Sequence, residues 1–208
     1  NLTSDGKSVG FIRAKTKSGE TAAMVRDLES GQEKTLATVA EPLGFACPPA
    51  LSPDGKTFVT AIHTAEKGIH AQFVAIDAAS LAQTRFGSTG WEAWKSQWLP
   101  DGKGLIAPAF RHGETEGAQL FLVAYPEGRH RRITSDSNMY VDTDLTADGT
   151  TIAALRVARV SNVWSVPSEG KNRPKQLTFN TTNANAVSSF VVGADGTLAF
   201  SAATDHNT

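Results

Sequence analysis

The sequence predicts an all-β fold: four-stranded antiparallel sheets, repeated along the chain and stacked as the blades of a β-propeller. Three observations predict it. An Asp-Gly turn returns at a nearly constant interval. Each turn is followed by a segment that alternates as a strand does. No stretch shows helical periodicity with caps.

The turns are Asp5-Gly6, Asp54-Gly55, Asp101-Gly102, Asp148-Gly149 and Asp195-Gly196, spaced 49, 47, 47 and 47 residues apart. Their settings are TSDGK, SPDGK, LPDGK, TADGT and GADGT. Pro53 and Pro100 preset φ at the first corner, the aspartate bonds back to nearby N–H groups, and glycine closes the turn in the left-handed region. The segments that follow are KSVGFIRA, KTFVTAIH, KGLIAPAF, TTIAALRV and TLAFSA. Each turn therefore joins two antiparallel strands.

A third strand follows with a large apolar centre: TAAMVRDL, AQFVAID, AQLFLVAY and SNVWSVP. A small turn comes next, clear as PEG at 126–128 and SEG at 168–170, and then a short closing strand: KTLAT, QTRFG, RRIT and KQLT. Four short strands in about 47 residues describe one blade, with the strand before Asp-Gly innermost and the closing strand outermost. The blades run at about 1–45, 46–88, 89–136, 137–181 and 182–208 (partial), some four and a half in all. Two cut ends point to part of a larger ring; the alternative is a complete five-bladed one. Open blade edges and faces would favour self-association.

LSPDGKTFVTA and WLPDGKGLIAPA resemble the PD40 repeat, the WD40-like repeat of TolB-type propellers. From about residue 89 onward, QLFLVAYPEGRHRRIT, YVDTDLTADGTTIAALRVARVSNVWSVP and RPKQLT resemble the C-terminal propellers of bacterial membrane-attached serine/threonine kinases. That resemblance implies a sensor or interaction domain outside the membrane, periplasmic or otherwise extracytoplasmic. Blade five departs from the pattern at Gly193.

Composition narrows the function classes. The chain is 40% hydrophobic and 20% charged with a formal charge of −1, which leaves no electrostatic footprint for nucleic acid. The run Arg129-His130-Arg131-Arg132 reads as a charged strand edge. The single cysteine, Cys47, excludes an internal disulfide and any multi-cysteine zinc site, and reads as a small buried hydrophobe. No apolar run is long enough to span a membrane.

No catalytic motif appears: no G-x-S-x-G elbow, no H-R-D loop, no D-F-G and no phosphate loop. Nothing in the sequence calls for a cofactor. His63, His70, His112, His130 and His206 are scattered, and each Asp-Gly phrase supplies one carboxylate, too few for calcium. One stretch, STGWEAWKSQW at 88–98, carries three of the four tryptophans. Trp98, just before LPDG, is expected to pack between blades. Trp91 and Trp94 are expected in the connection between blades two and three, either contacting a ligand or plugging the channel mouth. Loops at the same end contribute Arg111, His112, Glu114, Glu116, Tyr140 and Asp142, which would line a shared mouth.

The leading expectation is a non-catalytic module that binds a protein or small molecule at its mouth, either a kinase sensor or a TolB-like scaffold. The alternative is the gating propeller of a prolyl-oligopeptidase-type peptidase whose catalytic domain lies elsewhere.

Overall fold

The computed structural model describes the chain apart from residues 4, 15–18, 65–69, 112–116, 137, 159, 171–172, 180–186 and 203–208. Among the described residues there is no helix, and every strand pairing is antiparallel. The chain divides into two compact units, Asn1–Ser135 with Tyr140–Arg156, and Asp136–Met139 with Val157–Thr208.

In the first unit, β1 (Ser8–Arg13), β2 (Glu20–Asp27) and β3 (Glu33–Ala40) form one sheet, and Leu2 bridges to Val9 on its inner side. The second blade is β4 (Leu43–Leu51), β5 (Thr57–Thr64), β6 (His70–Asp77) and the start of β7 (Gln83–Ala93). The third is the end of β7 with β8 (Gln97–Trp98), then β9 (Gly104–Arg111), β10 (Gln119–Ala124) and β11 (His130–Arg132). The two blades share β7, which pairs with β6 over Gln83–Phe86, bulges, and at Trp91 meets both Ala71 of β6 and Arg111 of β9. β12 (Met139–Leu145) and β13 (Ile152–Val157) form a further pair.

Blade two shows why these strands are apolar on both faces. Successive side chains of a strand point to opposite sides of the sheet. Phe45, Phe58, Ile62, Val74 and Ile76 face blade one and pack with Ala23, Leu36 and Ala37. Cys47, Val59, Ala61, Phe73 and Ala75 point the other way and pack with Trp98, Leu105, Ala107 and Phe121 of blade three. Alanines let the sheets approach, and Phe73, Phe86, Trp98 and Phe121 fill the space left between them. Each blade is thus stabilised through its neighbours.

The Asp-Gly turns have one construction. Their glycines all take a left-handed φ, from 67° at Gly102 to 83° at Gly196. Each aspartate Oδ1 accepts the N–H two residues on, at 2.9–3.1 Å. Where a hydroxyl stands two residues before, it donates too: Thr3, Ser52 and Thr146 reach Asp5, Asp54 and Asp148 at 2.6 Å. Leu99 and Gly193 hold that position in the third and fifth turns and cannot donate. These hydroxyls hold the Asp5, Asp54 and Asp148 carboxyls below their ordinary range, Asp148 at about 2.

The second unit carries two short ladders, β14 (Trp164–Ser165) with β15 (Lys175–Gln176), and β16 (Val187–Val192) with β17 (Leu198–Ala202). Its large apolar side chains stand largely exposed, among them Trp164, Val166, Phe179, Phe190 and Phe200.

Candidate functional site

The inner strands of the first unit run side by side, and the 47-residue repeat puts equivalent positions next to one another. Asn1 Nδ2 donates to the Pro48 carbonyl (3.0 Å) and to the Ser96 carbonyl (3.2 Å). Trp98 Nε1 donates to the Ala50 carbonyl (3.0 Å). Gln97 Nε2 donates to Asp144 Oδ1 (2.9 Å), and Lys95 Nζ pairs with Asp142 Oδ1 (2.8 Å). Side chains on one inner strand therefore hold the next.

On this surface an open groove of about 440 Å³ is lined by Asn1, Leu2, Pro48, Trp94, Lys95, Val141, Asp142 and Asp144. A second of about 440 Å³ adjoins it through Leu2 and Asp144, and has Trp98, Pro53 and Pro100 in its wall. The Lys95 ammonium, hydrogen-bonded to Asp142, holds that carboxyl below the usual range. The pair is partly exposed, with side-chain exposures of 24% and 53%, so its net contribution is small.

The three tryptophans of 91–98 have different fates. Trp98 is buried, bonded to Ala50 and set edge-on to Tyr125 at 5.0 Å, between blades as expected. Trp91 lies within strand β7, in register with Arg111, where a connection had been expected. Its Nε1 donates to Ser88 Oγ (3.0 Å), and its ring packs against Phe121 (4.7 Å) and His130 (4.3 Å). Trp94, half-buried, tilts against Phe110 at 5.6 Å, and its indole N–H bonds to none of the described residues.

Of the residues expected at a shared mouth, the groove brings together Trp94 and Asp142. Arg111 is exposed at the end of β9, beside Trp91. Tyr140 is half-buried, and its backbone N–H donates to the Ala118 carbonyl (2.8 Å). His112, Glu114 and Glu116 lie outside the described residues. Lys95, Gln97, Asp144 and Pro48 were missed. The signal for them was the period itself, since 48, 95 and 142 are one repeat apart, as are 50, 97 and 144.

Cys47 is buried, its thiol pushed up to about 11 by burial, which leaves it inert as a nucleophile at neutral pH. Among the described residues no group of three or more His, Cys, Asp or Glu is placed to hold a metal, and no helix is long and apolar enough to cross a membrane.

No protein-family model matches the chain, and no curated protein sequence matches it. Solved structures do. TolB from Acinetobacter baumannii matches with a TM-score of 0.56 at 21% identity, over 98% of this chain and 42% of that one. A TolB-type protein of Agrobacterium tumefaciens matches with a TM-score of 0.60 at 16% identity, over 84% of this chain and 62% of that one. The fold is a partial β-propeller. Dipeptidyl peptidase 4 of Porphyromonas gingivalis, with a TM-score of 0.52 at 10% identity, shares it over 95% of this chain and 34% of its own. The chain spans 42% and 62% of the two TolB-type chains, and at these identities the likeness is one of fold.

Proposed function

We infer that this chain is a binding module, non-catalytic by itself, which receives a segment of a protein partner in the groove between its inner strands. One observation carries the reading. Trp94 offers a half-buried ring and an indole N–H that bonds to none of the described residues, beside Lys95 and Asp142 in the groove between the inner strands. An amphipathic aromatic flanked by both charge signs suits a polypeptide, which brings apolar side chains, amides and charges together. The parent protein is the sensor of a membrane-attached kinase or a TolB-like scaffold. The resemblance of residues 89–208 supports the former, and the TolB-type fold supports the latter.

The test selects binders from a displayed random-peptide library on the native chain, then measures them against variants. Trp94→Ala is expected to weaken selected peptides by about 30-fold, the order of an aromatic hot spot. Trp164→Ala, an exposed tryptophan of the second unit, is the control and leaves binding unchanged. Peptides that bind Trp94→Ala as well as the native chain remove this groove from consideration. The flanking reading frame separates the parents: a kinase domain with an apolar 20-mer indicates a sensor, neither a kinase nor a hydrolase leaves the scaffold, and a hydrolase with a G-x-S-x-G elbow overturns both in favour of a peptidase gate.

A further inference from the structure

The second and third Asp-Gly turns form a natural pair. Both read Pro-Asp-Gly-Lys, at 53–56 and 100–103, so the two aspartates have the same covalent neighbours. They follow neighbouring inner strands, and both are exposed. In both, the aspartate Oδ1 accepts the N–H two residues on, from Lys56 (3.1 Å) and from Lys103 (2.9 Å). The glycine N–H groups are also held alike, Gly55 by the Ser52 carbonyl (2.9 Å) and Gly102 by the Leu99 carbonyl (3.0 Å).

The residue before the proline separates them. Ser52 Oγ donates to Asp54 Oδ1 (2.6 Å) and accepts the Thr57 N–H (2.9 Å), so one hydroxyl ties the aspartate to the first residue of β5. Leu99 stands at the equivalent place and offers neither bond. Among the described residues, the Lys103 N–H is the one hydrogen-bond partner of the Asp101 carboxylate, which has no ion pair.

An aspartate followed by glycine can close on itself. The glycine nitrogen attacks the side-chain carbonyl carbon, water leaves, and a five-membered succinimide forms. Glycine favours the step because it has no Cβ to crowd the attack. Water then opens the ring. Opening at the side-chain carbonyl restores aspartate. Opening at the main-chain carbonyl leaves isoaspartate, with the main chain longer by one methylene and no atom gained or lost overall. Both reacting groups are engaged while the turn is closed, so the rate follows the fraction of time the turn is open.

We propose that Asp101-Gly102 is a site of spontaneous aspartate isomerisation in the folded chain, and that the Ser52 hydroxyl protects the matching Asp54-Gly55. The third turn, lacking that hydroxyl, is open about fivefold more of the time, the equivalent of one hydrogen bond of about 1 kcal/mol. Nothing lies within 4 Å of a Cβ placed on Gly102, so the ring and the water that opens it meet no obstruction. The turn borders an open cavity of about 410 Å³ lined also by Pro53, Trp98, Pro100 and Tyr125, where the added methylene displaces the Asp101 carboxylate.

Prolonged incubation of the native chain in neutral buffer, then peptide mapping with isoaspartate methyltransferase labelling, reads both sites in one sample. Isoaspartate is expected to accumulate about fivefold faster at Asp101 than at Asp54, the effect of one hydrogen bond. Leu99→Ser is expected to bring Asp101 down to the Asp54 rate, and Ser52→Ala to bring Asp54 up to the Asp101 rate, each with an unchanged far-ultraviolet spectrum. In concentrated urea, where both turns are open, the two sites are expected to react equally fast. Equal rates in the folded native chain overturn the proposal. So do folded variants that leave both rates unmoved. The native chain also decides the matter without a variant: a difference that survives in urea places its cause in local sequence and refutes a role for the turn's bonds.

Discussion

Trp98 tests whether neighbouring blades hold one another. It is 8% exposed, packs in the core shared by blades two and three, and donates from Nε1 to the Ala50 carbonyl on the preceding inner strand. Trp98→Ala removes a large buried ring at a site walled by strands, at a cost of about 3–5 kcal/mol. Trp98→Phe keeps much of the ring contact but loses the donor, at about 1–2 kcal/mol if the Ala50 carbonyl gains no other partner. With a urea slope of about 1–3 kcal/mol per molar, the alanine variant moves the unfolding midpoint of the first unit down by about 1 M or more. Trp164→Ala is the matched control: that side chain is 52% exposed, so its cost stays within about 0.5 kcal/mol. Equal midpoints for Trp98→Ala and Trp164→Ala would refute the claim that blades are stabilised by what their neighbours bury.

Three other outcomes are expected. A double-mutant cycle on Lys95→Ala and Asp142→Asn gives a coupling of about 0.2–1 kcal/mol that fades with added salt, because the pair is part-exposed; a larger, salt-independent value contradicts the geometry. Asp148 titrates at about 2, below the ordinary 3.8, held down first by the Thr146 hydroxyl. Its depressed value means that the turn contributes stability above about pH 4 and loses it as pH falls toward 2; Thr146→Ala should raise the carboxyl midpoint seen by NMR, and an unmoved midpoint denies the hydroxyl its role. Gly128→Ala should cost more than about 1 kcal/mol in urea unfolding, because its φ is +70° and a Cβ there overlaps the Gly87 backbone; a neutral result would mean that these turns do not meet.

The blade pattern was legible because Asp-Gly turns have local chemistry that does not depend on neighbours. Other features were hidden for physical reasons. The turn between β6 and β7 was obscure because Leu81 takes φ +62° where the equivalent turns of blades one and three have Gly31 and Gly128. The legible signal there was Asp-x-x-Ser, since Asp27 and Asp77 each accept from the serine three residues on. GSTG at 87–90 reads as a loop because two glycines punctuate it, yet β7 carries through it as a bulge. Trp91 therefore became a strand residue, and its indole went to Ser88 and the Phe121 ring. Which face a residue takes depends on strand phase, and a bulge resets that phase in a way that composition does not reveal.

The repeat period carries more functional information than the motif that disclosed it. The Asp-Gly aspartates recur because every blade needs the same turn. Pro48, Lys95 and Asp142 stand at one equivalent position of successive inner strands, and they differ in kind. Part of that variety is structural, since Lys95 and Asp142 tie neighbouring inner strands together. Lys95 and Asp142 are spent partly on each other, while the Trp94 N–H beside them is spent on nothing described. The proposed binding role therefore rests on Trp94 first, and on the charged pair only where it is not engaged with itself.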